Sequence, residues 1–306
     1  MGKKMGRMLI DAHTHLFPVE VRRDHMAFAA RDRQLSLLYS GDDVRMAGRK
    51  DLVFELDKHG IGFAVAYGFP WRDIELARRH NDYLLEAAEL AGGRLIPAAC
   101  VHPLSPGATK EADRALSAGA GVLGEVAMYR RDITPDTLDA LLDLAYVCAC
   151  HDKPLCLHVN EPVGHQYPGK APMTLRGLYS FLEESQGVKI ILAHLGGGIF
   201  FYNLLKKDIA GLLENVYIDT AAIPYLYKPK ALKLACDLLG PEHVMMGTDY
   251  PLLPWTRYMR FVERAGLDKE EIEWIEGRSA ASLFGIEDRQ ERPEGNSDGR
   301  FLQVPG

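Results

Sequence analysis

Cysteine, tryptophan and long apolar runs are all scarce in this chain. Its 306 residues include five cysteines (Cys100, Cys148, Cys150, Cys156 and Cys236) and three tryptophans. No two cysteines form a CxxC pair, which excludes a zinc ribbon, and their odd number does not suit a disulfide framework. Free thiols, mostly buried in apolar segments, in a reducing compartment are expected instead. Nothing approaches the roughly 18 apolar residues of a membrane span. The basic start "MGKKMGRM" runs into "LIDAHTHL", which is no signal-peptide core, so a cytoplasmic location is expected. Excess positive charge is lacking too. A formal net charge of −6 argues against nucleic acid or an anionic membrane as partner. With 47% hydrophobic and 25% charged residues, the chain is ordinary globular protein, long enough for two small domains or one large barrel.

What the chain has is a recurring short apolar segment. Eight β-rich runs follow one another: 7–13, 62–69, 94–103, 121–129, 154–159, 188–196, 216–221 and 243–251. Helical periodicity fills most of the gaps. In "DIELARRHNDYLLEAAELAG", Leu76, His80, Tyr83, Leu84, Ala87 and Ala91 share a face. "TPDTLDALLDLAYVCACH" opens with Thr134 as N-cap and Pro135 at the first helical position. "KPKALKLACDLLG" stops at Gly240. Strand–helix alternation implies parallel strands with helices outside, and eight units point to a single α/β (β/α)₈ barrel over 8–286. An open doubly wound sheet is the other architecture with this pattern. Residues 17–50 form a long loop insertion after strand one, ending in the helical segment "DLVFELDKHG", and are placed to cover the barrel mouth. The charged extension 287–306, rich in Gly and Pro, is expected to lie outside the core.

Polar residues stand where these strands end. In "LIDAHTHLFP", Asp11, His13 and His15 are spaced two apart, which in a strand places them on one face. Strand four ends in Glu125, strand five in His158, strand six in His194 and strand eight in Asp249. A barrel gathers those ends at one mouth, where active sites of this fold lie. Any one of them alone reads as a hydrogen-bonded structural residue; six at matching positions do not. Neutral imidazole and carboxylate oxygen suit Zn²⁺, and also Mn²⁺, Fe²⁺ or Co²⁺. Around the mouth, His165, Gln166, Tyr167 and Lys170 of the loop 160–170 are candidates for orienting substrate, as are Trp71 and Arg72, and Tyr250 and Trp255. "HLGGG" (194–198) lacks the Lys and Ser/Thr of a phosphate loop and reads as a tight turn.

Taken in order, "DAHTHLF", "GEV", "LHV", "AHLGG" and "GTDYP" resemble the amidohydrolase superfamily of metal-dependent barrels, from about Met8 to Ile286. The resemblance is nearer to the branch containing aminocarboxymuconate semialdehyde decarboxylase, with TatD-like enzymes also similar. "GRSAASLFGI" resembles the family's ending, with Ser279 where Asn is common. It implies that His13, His15, His158 and Asp249 ligate metal, that Asp249 also takes the proton of an attacking water, and that His194 is a ligand or the catalytic imidazole. A fourth-strand glutamate bridges two metals in TatD-like relatives, so Glu125 tilts the expectation towards one or two Zn²⁺ and towards hydrolysis of a small-molecule amide, lactone or ester. The alternatives are a non-oxidative decarboxylase with one metal, in which His194 acts on the substrate, and a catalytically silent metal-binding barrel. Barrels of this type commonly pair, so a homodimer fits as well.

Overall fold

The computed structural model describes residues 8–41, 43–206, 209 and 211–287. Eight parallel strands run in sequence order around one sheet: β1 Ile10–His15, β2 Phe63–Tyr67, β3 Leu95–Ala99, β4 Val122–Val126, β5 Leu155–Leu157, β6 Ile190–Leu192, β7 Val216–Asp219 and β8 Val244–Met245. Seven of the eight expected segments contain their strand whole, and β1 starts inside the first (7–13) but runs on to His15. The sheet closes on itself rather than spreading open. The Ala12 N–H donates to the Met246 carbonyl at 2.7 Å, and the His15 N–H to the Tyr250 carbonyl at 2.7 Å. The architecture is therefore the (β/α)₈ barrel.

Side-chain alternation divides the core in two. Ile10, Ala12, Val65, Tyr67, Ala98, Val122, Cys156, Ile191 and Met245 fill the barrel interior. Their sequence neighbours, such as Ala64, Ala66, Leu123, Leu155, Leu157, Ile190 and Leu192, pack outward against the helices. The helices Ile74–Leu90, Pro135–Cys150 and Lys230–Leu239 lie where the periodicity puts them, and Gly240 leaves the last at φ 92°. Four of the five cysteines are buried, Cys150 is exposed, and none is paired with another.

The insertion departs from the expected loop. It folds into three short helices, Val19–Arg23, His25–Arg31 and Arg33–Tyr39, before the longer helix Arg49–His59. Asp32 sets the third, its carboxylate accepting from the Gln34 and Leu35 N–H groups at 2.8 and 3.1 Å. An aromatic cluster of Phe17, Phe69, Trp71 and Tyr129 joins this insertion to the barrel. Among the described residues, no helix is long and apolar enough to cross a membrane. The extension beyond Glu287 lies outside the described residues.

Candidate active site and metal centre

The strand ends meet at the floor of a cavity of about 730 Å³. In β1 the register shifts between Asp11 and Thr14. Ile10 and Ala12 point into the lower barrel, and past the irregularity His13 and His15 both face the site. Asp11 therefore does not join them, contrary to a regular alternation. It is buried and ties β1 to the chain after β8, accepting from the Thr248 hydroxyl at 2.6 Å and the Thr248 N–H at 2.9 Å. Burial raises its carboxyl to about 6 against the pull of those bonds.

Four imidazoles and two carboxylates converge. The Nε2 atoms of His13 and His15 are 3.1 Å apart. His15 Nε2 lies 3.3 Å from Asp249 Oδ1, and His13 Nε2 lies 3.8 Å from Glu125 Oε2. The other Glu125 oxygen is 2.8 Å from His158 Nδ1 and 3.3 Å from His194 Nε2, and these two nitrogens are 3.2 Å apart. All six residues singled out from the sequence are thus in one cluster, with Glu125 between two histidine pairs.

The outer ring nitrogens decide what the inner ones can do. His15 Nδ1 faces the Gly68 carbonyl at 3.2 Å, His158 Nε2 the Gly169 carbonyl at 2.9 Å and His194 Nδ1 the Ala221 carbonyl at 2.9 Å. A carbonyl only accepts, so each of these nitrogens carries the proton. His13 Nδ1 is fixed likewise by Asp219 Oδ2 at 2.7 Å. Every neutral ring then turns a bare lone pair inward, and the lone pairs face each other in pairs. Only a cation between them, or an added proton, resolves that arrangement.

The electrostatics agree. Burial opposes charge on His13, but Asp219, Glu125 and Asp249 outweigh it and hold the ring up at about 10. His194 is held at about 9, again against burial, mainly by Glu125. Burial also works against charge on Glu125, yet His158 and His13 keep it well below the usual carboxylate range. For Asp249 the same opposition is overcome by His15, His13 and His194, which lower it to about 2. Two overlapping donor sets suit a metal ion, His13–His15–Glu125 and Glu125–His158–His194. A third, His13–Cys156–Asp219, includes a thiol that burial keeps protonated.

Asp219 was not singled out from the sequence, and it organises the site. Besides holding His13, it accepts from the His194 and Ala221 N–H groups, both at 3.0 Å. The signal was available, because Asp219 ends strand seven as the other site residues end theirs. The left-handed turn after β6, with Leu195, Gly196, Gly197 and Gly198 at φ 57°, 55°, 61° and 84°, is the tight turn expected of "HLGGG". A Cβ on Gly197 would lie 2.7 Å from the Asn160 carbonyl oxygen, so only glycine lets the turn approach the chain after β5 this closely.

The expected substrate-orienting residues divide. His165 and Tyr167 line the cavity. Lys170 does not, because its ammonium is engaged within the loop by Glu161 at 2.8 Å and by the Val163 carbonyl at 2.7 Å. Trp71 is buried behind the wall, donating to His80 Nδ1 at 2.9 Å. Arg72 lines a different cavity. Trp255 is buried against His59. Residues not singled out individually complete the wall: Tyr39 and Arg45 from the insertion, which covers the mouth as its place in the sequence implied, Phe69 after β2, Tyr129 after β4 and Tyr225 after β7. The Tyr129 ring meets His158 edge-on at 4.9 Å between centroids.

Comparison with known proteins corrects the expected reaction. A 6-methylsalicylic acid decarboxylase of Penicillium expansum is 27% identical over 134 residues, which is 38% of this chain and 40% of that protein. The match therefore spans less than half of the curated relative. The crystal structure of 5-carboxyvanillate decarboxylase from Sphingomonas paucimobilis superposes with a TM-score of 0.71 at 18% identity, covering 92% of this chain and 100% of that one. The Novosphingobium aromaticivorans enzyme of the same name, complexed with manganese and a nitrobenzoic acid, gives a TM-score of 0.71 at 17% identity over 93% of this chain and 98% of that one. At these identities the two structures establish the fold. Hydrolysis of an amide, lactone or ester, favoured on the strength of Glu125, gives way before this company of decarboxylases, and manganese rather than zinc is the metal found in that neighbour. The Amidohydrolase family model matches residues 10–286, so the chain belongs to the amidohydrolase family.

Proposed function

We propose that the protein is a metal-dependent, non-oxidative decarboxylase of a small aromatic acid bearing a hydroxyl beside the carboxylate. The observation that carries this reading is the set of imidazole nitrogens turned inward around Glu125 and Asp249, at the floor of a cavity walled by Tyr39, Phe69, Tyr129 and Tyr225. The volume suits a single substituted ring. The names of the relatives supply the substrate class.

His13, His15, His158 and Asp249 would hold one divalent ion, manganese or a similar metal, with Glu125 beside it. Glu125 and Asp249 together match the charge of that ion. When bound, the ion supplies a fixed positive charge against the substrate's carboxylate and the negative charge that develops on the ring. Tyr39, Phe69 and Tyr129 enclose the ring and exclude water. Arg45, on the rim of the cavity, offers a cation to a further anionic substituent.

Replacing C–CO₂⁻ by C–H consumes one proton at the ring carbon. Asp249 is suited to deliver it, having its side chain 13% exposed at the cavity while that of Glu125 is only 4% exposed. Held ionised before substrate arrives, it accepts the proton of the neighbouring hydroxyl, passes it to the ring carbon, and the C–C electron pair returns to the ring as CO₂ leaves. His194, fixed by Ala221 and Asp219, faces the leaving carboxylate.

The test is incubation of manganese-loaded protein with ortho-hydroxybenzoates in D₂O. One deuterium at the vacated ring carbon, with CO₂ released and both lost in Asp249→Asn, is the expected result. A metal-loaded protein that consumes none of a broad panel of such acids would overturn the reading.

A further inference from the structure

A second cavity, of about 580 Å³, lies beside the first and is lined by Arg31, Arg33, Arg72, Arg130, Arg131 and the buried His102. In a chain of net charge −6, five guanidinium groups around one hollow need a reason. Arg131 pairs with Asp136 at 3.1 Å, outside the hollow. Among the described residues, no carboxylate forms an ion pair with Arg31, Arg33, Arg72 or Arg130. Among the described residues, the one acid in the wall is Asp32, and it is engaged by backbone, accepting from the Gln34, Leu35 and Arg72 N–H groups.

His102 adds an independent indication. It is 4% exposed, and its Nδ1 accepts from the Leu104 N–H at 3.2 Å, which leaves the ring proton on Nε2. No described residue accepts from that Nε2. Burial and the nearby Arg72 keep the ring neutral, at about 4, with Arg131 adding to the effect and Asp32 opposing it. A neutral N–H donor beside unpaired guanidinium groups is a set that accepts nothing and offers only donors.

We infer that this hollow is a second binding site, for a small multivalent oxyanion carrying two or more phosphate, sulfonate or carboxylate groups. Planar guanidinium groups on separate elements bind such groups bidentately, and their mutual repulsion is relieved when the anion enters. The elements are the insertion (Arg31, Arg33), the chain after β2 (Arg72), the chain after β3 (His102) and the chain after β4 (Arg130, Arg131). The same elements reach the catalytic cavity. Tyr129 lies between Met128 and Arg130, and Tyr39 ends the helix that Asp32 and Arg33 begin.

The inference is independent of the proposed reaction, and its test uses no substrate. Metal-loaded protein is titrated calorimetrically with 1,2-ethanedisulfonate, whose sulfonates are weak metal ligands, and with methanesulfonate, at constant ionic strength. One site per chain is expected, with the disulfonate at least tenfold tighter. The pair Arg31→Gln/Arg130→Gln, at exposed positions, should weaken it at least tenfold, and His102→Phe alone should weaken it measurably. The control pair Arg260→Gln/Arg264→Gln, which removes equal charge elsewhere, should not. Non-saturable binding, or equal loss in the control pair, would overturn the site. So would binding of an acidic peptide in preference to the disulfonate, which would make the hollow a protein-docking surface.

Discussion

Replacing Asp219 by asparagine tests the tautomer argument on which the metal centre rests. The carboxylate is fully buried and makes three bonds: Oδ2 with His13 Nδ1 at 2.7 Å, and Oδ1 with the His194 and Ala221 N–H groups at 3.0 Å. An amide cannot serve both sides. If its oxygen faces His13, its NH₂ is driven against two N–H donors. If its NH₂ faces His13, the ring must move its proton to Nε2, where the metal lone pair should be. Losing such an orienting partner typically costs 10–100-fold in metal affinity, or about 1.4–2.7 kcal/mol. The unmet buried donors remove a further ~1–3 kcal/mol of stability. Manganese affinity by competition with a calibrated chelator, and urea denaturation of the metal-free forms, read the two effects separately. If Asp219→Asn binds manganese within threefold of the parent, the reasoning is refuted.

Other consequences follow from the same geometry. Elemental analysis should give about one metal per chain; Glu125→Gln should lower affinity rather than remove a second equivalent, and two equivalents falling to one would show that Glu125 bridges a pair. His80 is buried and neutral, held to about 4 by burial against its bond to the Leu16 carbonyl. Its folded value lies below the usual 6.5, so its contribution is complete above pH 6.5 and is lost as pH falls towards 4, amounting to about 3 kcal/mol at ~1.4 kcal/mol per unit. Urea midpoints at pH 7 and pH 4.5 should therefore fall further apart in the parent than in His80→Gln. A Cβ on Gly124 would sit 2.5 Å from the Cys156 carbonyl oxygen, so Gly124→Ala should cost roughly 1–3 kcal/mol and displace Glu125, seen as weaker manganese binding. Lys170→Met should leave substrate KM nearly unchanged while lowering the melting temperature, because its ammonium ties the loop to Glu161.

Strand count, strand order and the six converging residues were legible in the sequence, since each is a local signal. Apolar runs of fixed spacing mark strands, and a polar residue ending such a run marks a barrel mouth. Asp219 obeys the same rule. The rest depended on partners distant in sequence. That His13 presents Nε2 follows from Asp219, 206 residues away, and the register shift in β1 that separates Asp11 from the site follows from pairing with β2. Lys170, Trp71 and Arg72 have the residue types that bind substrate. A neighbouring Glu161, a buried His80 and a second cavity set their positions instead. Residue type and spacing determined which groups this protein brings to the end of its barrel; packing decided which nitrogen of each ring faces inward and which arginines are left without a carboxylate, because hydrogen-bond direction is settled only between elements that meet in space.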